Sequence, residues 1–164
     1  MTIFTQKEQL LRIERNIRHK MDRKKKGSDA ERELIHLFWQ QGWAALRAAG
    51  SGSMQYPCCD VLAGNGQRRL AIECKITSDE AKYFDKEELD HLSEFAQRFG
   101  AEPWIGIRFF RSPWYFLSLQ HLKSSGKLLS ITRSDAEQKG RAFEQLITFR
   151  ESQNTGSFSS NNSF

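Results

Sequence analysis

Three residues in a short central stretch offer chemistry: Asp60, Glu73 and Lys75. Asp60 opens the apolar run Val61-Leu62-Ala63, and Asn65-Gly66 follows, a pair that readily supplies the positive backbone angles of a tight hairpin turn. The chain then returns as a strand over residues 69–76. Residues two apart on a strand share a face, so Glu73 and Lys75 point the same way, and the turn folds them back beside Asp60. Two carboxylates and an ammonium at one spot suit Mg²⁺, which takes one or two carboxylates and fills its shell with water and substrate phosphate. A lysine beside such an ion orients an attacking water, or accepts its proton if the metal's field lowers its pKa from the ordinary ~10.4. A Glu-x-Lys pair on a strand is equally a common solvated ion pair worth roughly 0–1 kcal/mol. The residues alone leave both readings open.

The elements that must position these groups alternate between helix and strand patterns. Thr5-Gln6-Lys7-Glu8 reads as a capping box for a first helix with Leu10, Ile13, Ile17 and Met21 on one face, ending at Lys24-Lys25-Lys26-Gly27. Ser28-Asp29-Ala30-Glu31 reads as a second capping box, and Gly42 as the stop of the helix it opens. Strands are expected at residues 43–48, 60–63, 69–76, 104–110 and 114–118. Asp85–Glu88 caps a helix that Gly100 stops, and Ser134–Glu137 opens a last helix to about Phe149. The order α-α-βββ-α-ββ-α is that of an α/β domain with a mixed central sheet flanked by helices.

The chain has 164 residues, 25 Lys+Arg against 20 Asp+Glu, and a pI near 9.2. Residues 1–26 hold nine basic and three acidic residues, so the excess basicity belongs to an N-terminal arm. The expected organisation is a basic amphipathic helical arm (1–26), one catalytic domain (27–150) and a polar disordered tail (151–164). No apolar run approaches the ~18 residues of a membrane span. Cys58, Cys59 and Cys74 form no C-x-x-C, and the four histidines show no metal-ligand spacing, so a disulfide framework and a Cys or His zinc site are both excluded. A reducing, cytoplasmic setting is expected.

Asp60, twelve intervening residues and then Glu73-Cys74-Lys75 resemble the signature of the PD-(D/E)XK nuclease superfamily, with Cys59 in place of the namesake proline. The run KGSDAERELIHLF (residues 26–38), Gly42-Trp43, Arg47, Gly50-Ser51, Asp60 to Gly66, IECK (residues 72–75) and EFAQRFG (residues 94–100) is similar to the archaeal-type Holliday junction resolvases, Hjc. This resemblance covers about residues 26–118.

The resemblance implies a restriction-endonuclease-like fold and metal-dependent cutting of four-way DNA junctions by paired symmetric nicks. Asp60 and Glu73 match the metal-binding acids, the backbone carbonyl of Cys74 a further ligand, and Lys75 the catalytic lysine. Glu31 completes the site, directly or indirectly at the metal; read alone, it is the carboxylate of the Ser28 capping box, worth about 0.5–1 kcal/mol. Arg32 and Arg47 match phosphate-holding residues, Ser51 sits in the loop after the first strand, and Lys24, Lys25 and Lys26 are expected to add DNA contacts. Mg²⁺ is the implied cofactor, with Mn²⁺ as a substitute, and branched DNA the implied partner. Phe95 and Phe99 match aromatics associated with a homodimer. The implied location is the cytoplasm, associated with the nucleoid, or the host-cell cytoplasm if the protein is viral. The alternatives are a relative acting on flap or linear DNA, and a non-cutting junction-binding protein. Phosphate-ester hydrolysis needs acceleration of ~10¹⁷-fold or more, and one general base supplies only ~10²–10⁴, which favours a metal ion in the mechanism. The loop 52–59 is longer than in compact family members.

Overall fold

The computed structural model describes Arg12 and residues 25–48, 56–125 and 127–149. Its frame is a five-stranded sheet in the order β1-β2-β3-β5-β6, formed by β1 (Ala44–Arg47), β2 (Val61–Gly64), β3 (Arg69–Thr77), β5 (Glu102–Phe109) and β6 (Trp114–Leu117). All neighbours are antiparallel except β3 and β5, which run parallel with Lys75 opposite Ile107. Both faces of this mixed sheet are covered. One face packs Leu70, Ile72, Trp104 and Phe116 against Leu34 and Phe38 of helix α1 (25–40). The other packs Ala71, Ile105 and Ile107 against Leu89, Leu92 and Ala96 of helix α2 (Lys86–Phe99).

The β2–β3 turn forms as the sequence implies. Gly66 has φ 85°, and the Asn65 side-chain oxygen accepts from the amides of Gln67 (3.1 Å) and Arg68 (2.8 Å). Glycines with positive φ also end α1 at Gly42 and α2 at Gly100.

Three features depart from the sequence reading. First, α1 runs unbroken through Gly27 and Ser28, so Ser28 is not its N-cap; the helix also crosses the boundary expected at residues 26–27. Second, a separate three-stranded antiparallel sheet, order β4-β8-β7, joins β4 (Ala81–Asp85), β7 (Lys123–Ser125) and β8 (Leu128–Thr132). Third, the last helix is two: α3 (Arg133–Lys139), capped by Thr132 rather than Ser134, and α4 (Phe143–Thr148). The break has a cause in β6. Arg141 exchanges both backbone hydrogen bonds with Phe116 (2.9 and 2.8 Å), giving that strand a partner on its open edge and pulling residues 140–142 out of helical geometry. Gly140 fits there because a Cβ would lie 2.4 Å from the Ala136 carbonyl oxygen. The arm before residue 25, Ser51 and the tail from residue 150 lie outside the described residues, Arg12 excepted.

Arg68 ties α4 to the hairpin. Its guanidinium donates to both oxygens of Glu102 (2.7 Å each), to the Leu146 carbonyl (2.9 Å) and to the Phe149 carbonyl, and lies over Trp43. Arg68→Ala is expected to cost about 3 kcal/mol in denaturant unfolding, because it strands a half-buried Glu102. A loss under about 1 kcal/mol would make the clamp ornamental.

Candidate active site

The site exists because β2 stops short. Val61 pairs with Ile72, and the Asp60 amide still donates to the Ile72 carbonyl at 3.0 Å, but among the described residues no strand continues beside Glu73–Thr77 on that side. The next β3 amide, that of Cys74, donates to Asp60 Oδ2 at 2.8 Å instead. The N–H and C=O of one strand residue point to the same side, so the Cys74 carbonyl also faces Asp60. Burial of Val61 and Ala63 fixes the strand that presents Asp60.

Glu73 and Lys75 share the face covered by α2. Lys75 Nζ lies 2.6 Å from Glu73 Oε1 and 2.5 Å from Glu88 Oε1, so the ammonium bridges a strand carboxylate and a helix carboxylate. Glu73 is 8% exposed. Burial pushes its carboxyl up to about 8, Lys75 opposes the shift and Asp60 adds to it. Burial also works against the Lys75 charge, but Glu73 and Glu88 outweigh it and hold the ammonium well above its ordinary range. The Cys74 thiol is raised too, by burial first and then by the neighbouring acids, which leaves it inert. Cys59 behaves likewise, pushed up to about 12, and all three cysteines are free.

A cavity of about 830 Å³ opens over these groups, lined by Glu31, Asp60, Glu73, Cys74, Lys75 and Glu88, with His91 at its wall. Glu31 therefore reaches the site rather than capping α1. Its carboxylate is paired with the Arg47 guanidinium, whose Nη2 also donates to Ser28 Oγ at 2.9 Å. Arg47 thus brings its charge to the cavity edge. Arg32 does not line the cavity; it pairs with Asp29 at 2.9 Å on the exposed face of α1. Lys25 and Lys26 are exposed in the first described turn of that helix, and Lys24 lies outside the described residues.

Glu88 is the site residue that the sequence concealed. Asp85-x-x-Glu88 has the form of a capping box, yet Asp85 makes no side-chain cap and Glu88 turns to Lys75. Nothing in its spacing distinguishes it from an ordinary first-turn acid.

The donor set suits a hard cation. Asp60, Glu73 and the Cys74 carbonyl offer oxygen only, and Glu73 is raised chiefly because it is buried, with Asp60 adding to the shift against Lys75. Among the described residues no three His, Cys, Asp or Glu side chains form a ligand cluster.

A family profile described as "Archaeal holliday junction resolvase (hjc)" matches residues 22–155. The chain belongs to the Hjc family. The Crossover junction endodeoxyribonuclease Hjc of Archaeoglobus fulgidus is 40% identical over 111 residues, which span 68% of this chain and 82% of that protein. Its counterpart in Methanocaldococcus jannaschii is 35% identical over 111 residues, 68% of this chain and 77% of that one. The solved structure of Archaeoglobus fulgidus Hjc, described as a Holliday junction resolvase from an archaeal hyperthermophile, superposes with a TM-score of 0.69 at 35% identity. It covers 73% of this chain and 96% of that one. Hjc is a PD-(D/E)XK-type nuclease, so the mixed sheet flanked by helices, expected from the order of helix and strand patterns, is the family's fold.

Proposed function

We propose that this chain is an endonuclease that resolves four-way DNA junctions by paired symmetric nicks, hydrolysing phosphodiesters with Mg²⁺, for which Mn²⁺ can substitute. The observation that carries the reading is the convergence of Asp60, Glu73 and Lys75 in an open polar cavity, within a chain of the Hjc family.

Asp60, Glu73 and the Cys74 carbonyl are the groups that would hold the ion, which supplies an activated water and neutralises phosphoryl charge. Lys75, held between two carboxylates, serves to orient the water and to attract the scissile phosphate. Arg47, with Glu31 as its counterion, is placed to take a backbone phosphate at the cavity edge. Lys25 and Lys26 extend that contact along α1. A homodimer gives one cut per strand. Phe95 and Phe99 support it: their rings stack at 5.5 Å beside a groove of about 390 Å³ with Tyr56 and Pro57, and Phe99 is half exposed.

The test is incubation of the protein with a four-way junction and a linear duplex of matching sequence, in Mg²⁺ or EDTA. Junction cutting in Mg²⁺ alone is expected. Equal cutting of both substrates would reassign the chain to flap or linear DNA, and binding without cutting would make it a junction-binding protein.

The Glu73 carboxyl gives the site a pH signature. A carboxyl raised from 4.5 to about 8 binds more protons folded than unfolded, so the stability of the metal-free protein falls as pH rises through that interval. A cation competes with that proton. The rise in Tm on adding Mg²⁺ should grow from about pH 5.5 to about pH 8.5, and Glu73→Gln should abolish both effects. A Mg²⁺ shift of constant size across this range would contradict the assignment.

A further inference from the structure

The loop between β5 and β6 has features that cleavage does not use. Phe110 is 61% exposed, and Arg111 beside it has φ 58°, the one positive φ of a non-glycine residue among those described. The Arg111 guanidinium sits 5.0 Å from the Phe110 ring centre. Neither side chain is needed to close the turn, which Ser112 does: its amide donates to the Phe109 carbonyl (3.1 Å) and its hydroxyl accepts from the Phe109 amide (3.0 Å). Arg108 and Arg133 nearby are paired with Glu33 and Glu137, whereas Arg111 forms no ion pair with any described residue. An exposed aromatic ring and an unneutralised arginine on a strained backbone are more than a tight turn alone requires.

Their place in the fold gives them a use. β3 and β5 run parallel, and Thr77 lies opposite Phe109, so the loop sits at the same end of the sheet as Glu73 and Lys75. At the rise of a strand it lies about 10 Å beyond Lys75 along that direction, less than one helical turn of DNA. A duplex arm offers such a ring only stacked bases and phosphates, but a branch point exposes the faces of the terminal pairs. We infer that Phe110 stacks on a base face exposed at the DNA branch and that Arg111 contacts the flanking phosphate. This rests on the junction reading above. Stacking of this kind is indifferent to sequence, as recognition of a branch by shape requires.

The test is fluorescence anisotropy in EDTA with a four-way junction and a linear duplex of the same sequence. Phe110→Ala should weaken junction binding roughly tenfold, the scale of one base–aromatic stack, while changing duplex binding less than about twofold. Phe110→Trp should bind both as the wild type does. Arg111→Ala should weaken both and lower the slope of log K against log[salt] by about 0.9. The inference is overturned if Phe110→Ala leaves junction binding intact or weakens both DNAs alike, or if Phe110→Trp loses as much as Phe110→Ala. A wild-type protein that binds the two DNAs equally would fail the junction reading itself, before any variant is compared.

Discussion

Asp60→Asn is expected to bind a four-way junction as tightly as the wild type and to cut it roughly 10³-fold more slowly or worse, which is the several kcal/mol that a divalent ion supplies at a phosphoryl centre. The substitution is chosen to keep the fold. An asparagine oxygen can accept from the Cys74 amide as Asp60 Oδ2 does at 2.8 Å, so β3 keeps its partner. What disappears is one negative charge beside the buried Glu73, whose carboxyl should then drop from about 8 because Asp60 no longer raises it. Affinity for DNA in EDTA should hold or tighten slightly, since a charge facing a polyanion is gone. Single-turnover cleavage within tenfold of wild type would remove Asp60 from the site.

Lys75→Ala carries the second large effect. Removing the ammonium leaves Glu73 and Glu88 facing each other without the cation that now stands 2.6 and 2.5 Å from them. Cleavage should fall about 10²–10⁴-fold, the usual scale for loss of a positioned charged or proton-handling group. The Glu73 carboxyl, which Lys75 at present lowers, should rise further, so the variant should also lose stability at alkaline pH. Glu88→Gln separates the two roles of Lys75. It leaves the ammonium on Glu73 but frees it from α2, so a smaller loss of rate is expected, about tenfold, with junction affinity unchanged. Junction binding lost together with cleavage in Lys75→Ala would mean that the lysine holds DNA rather than acting on it.

Much of this was legible before any coordinates, for physical reasons that differ by element. The central hairpin was readable because Asn65-Gly66 permits little else and because strand alternation puts Glu73 and Lys75 on one face. The family motifs added Glu31 and Arg47, and their pairing at the cavity edge answers the question that Ser28-Asp29-Ala30-Glu31 left open: the cap reading fails because α1 starts earlier, and Ser28 and Glu31 both turn to Arg47. Arg32, an equal partner of Arg47 in the motif, is carried by the helix turn to the exposed face with Asp29. The second sheet escaped notice because β7 is three polar residues and β8 is half exposed, so neither shows alternation; their pairing is decided by β4 across more than forty residues of chain. The split between α3 and α4 depends on an open edge of β6 that no local pattern announces. Glu88 was hidden for a simpler reason, since a first-turn acid looks the same whether it caps a helix or reaches across to a strand.

The net charge of +5 proved a poor pointer, because it comes from the arm and not from the site. The cavity is lined largely by acids, and under the proposed function an acid cluster facing DNA is useful only with a cation between them. Location of that cation is therefore the decisive measurement. Crystals soaked in Mn²⁺ should show an anomalous peak bounded by Asp60, Glu73 and the Cys74 carbonyl in the wild type, and none there in Asp60→Asn. Manganese bound elsewhere in both proteins, with this cavity empty in the wild type, would contradict the assignment of these residues as the cutting site.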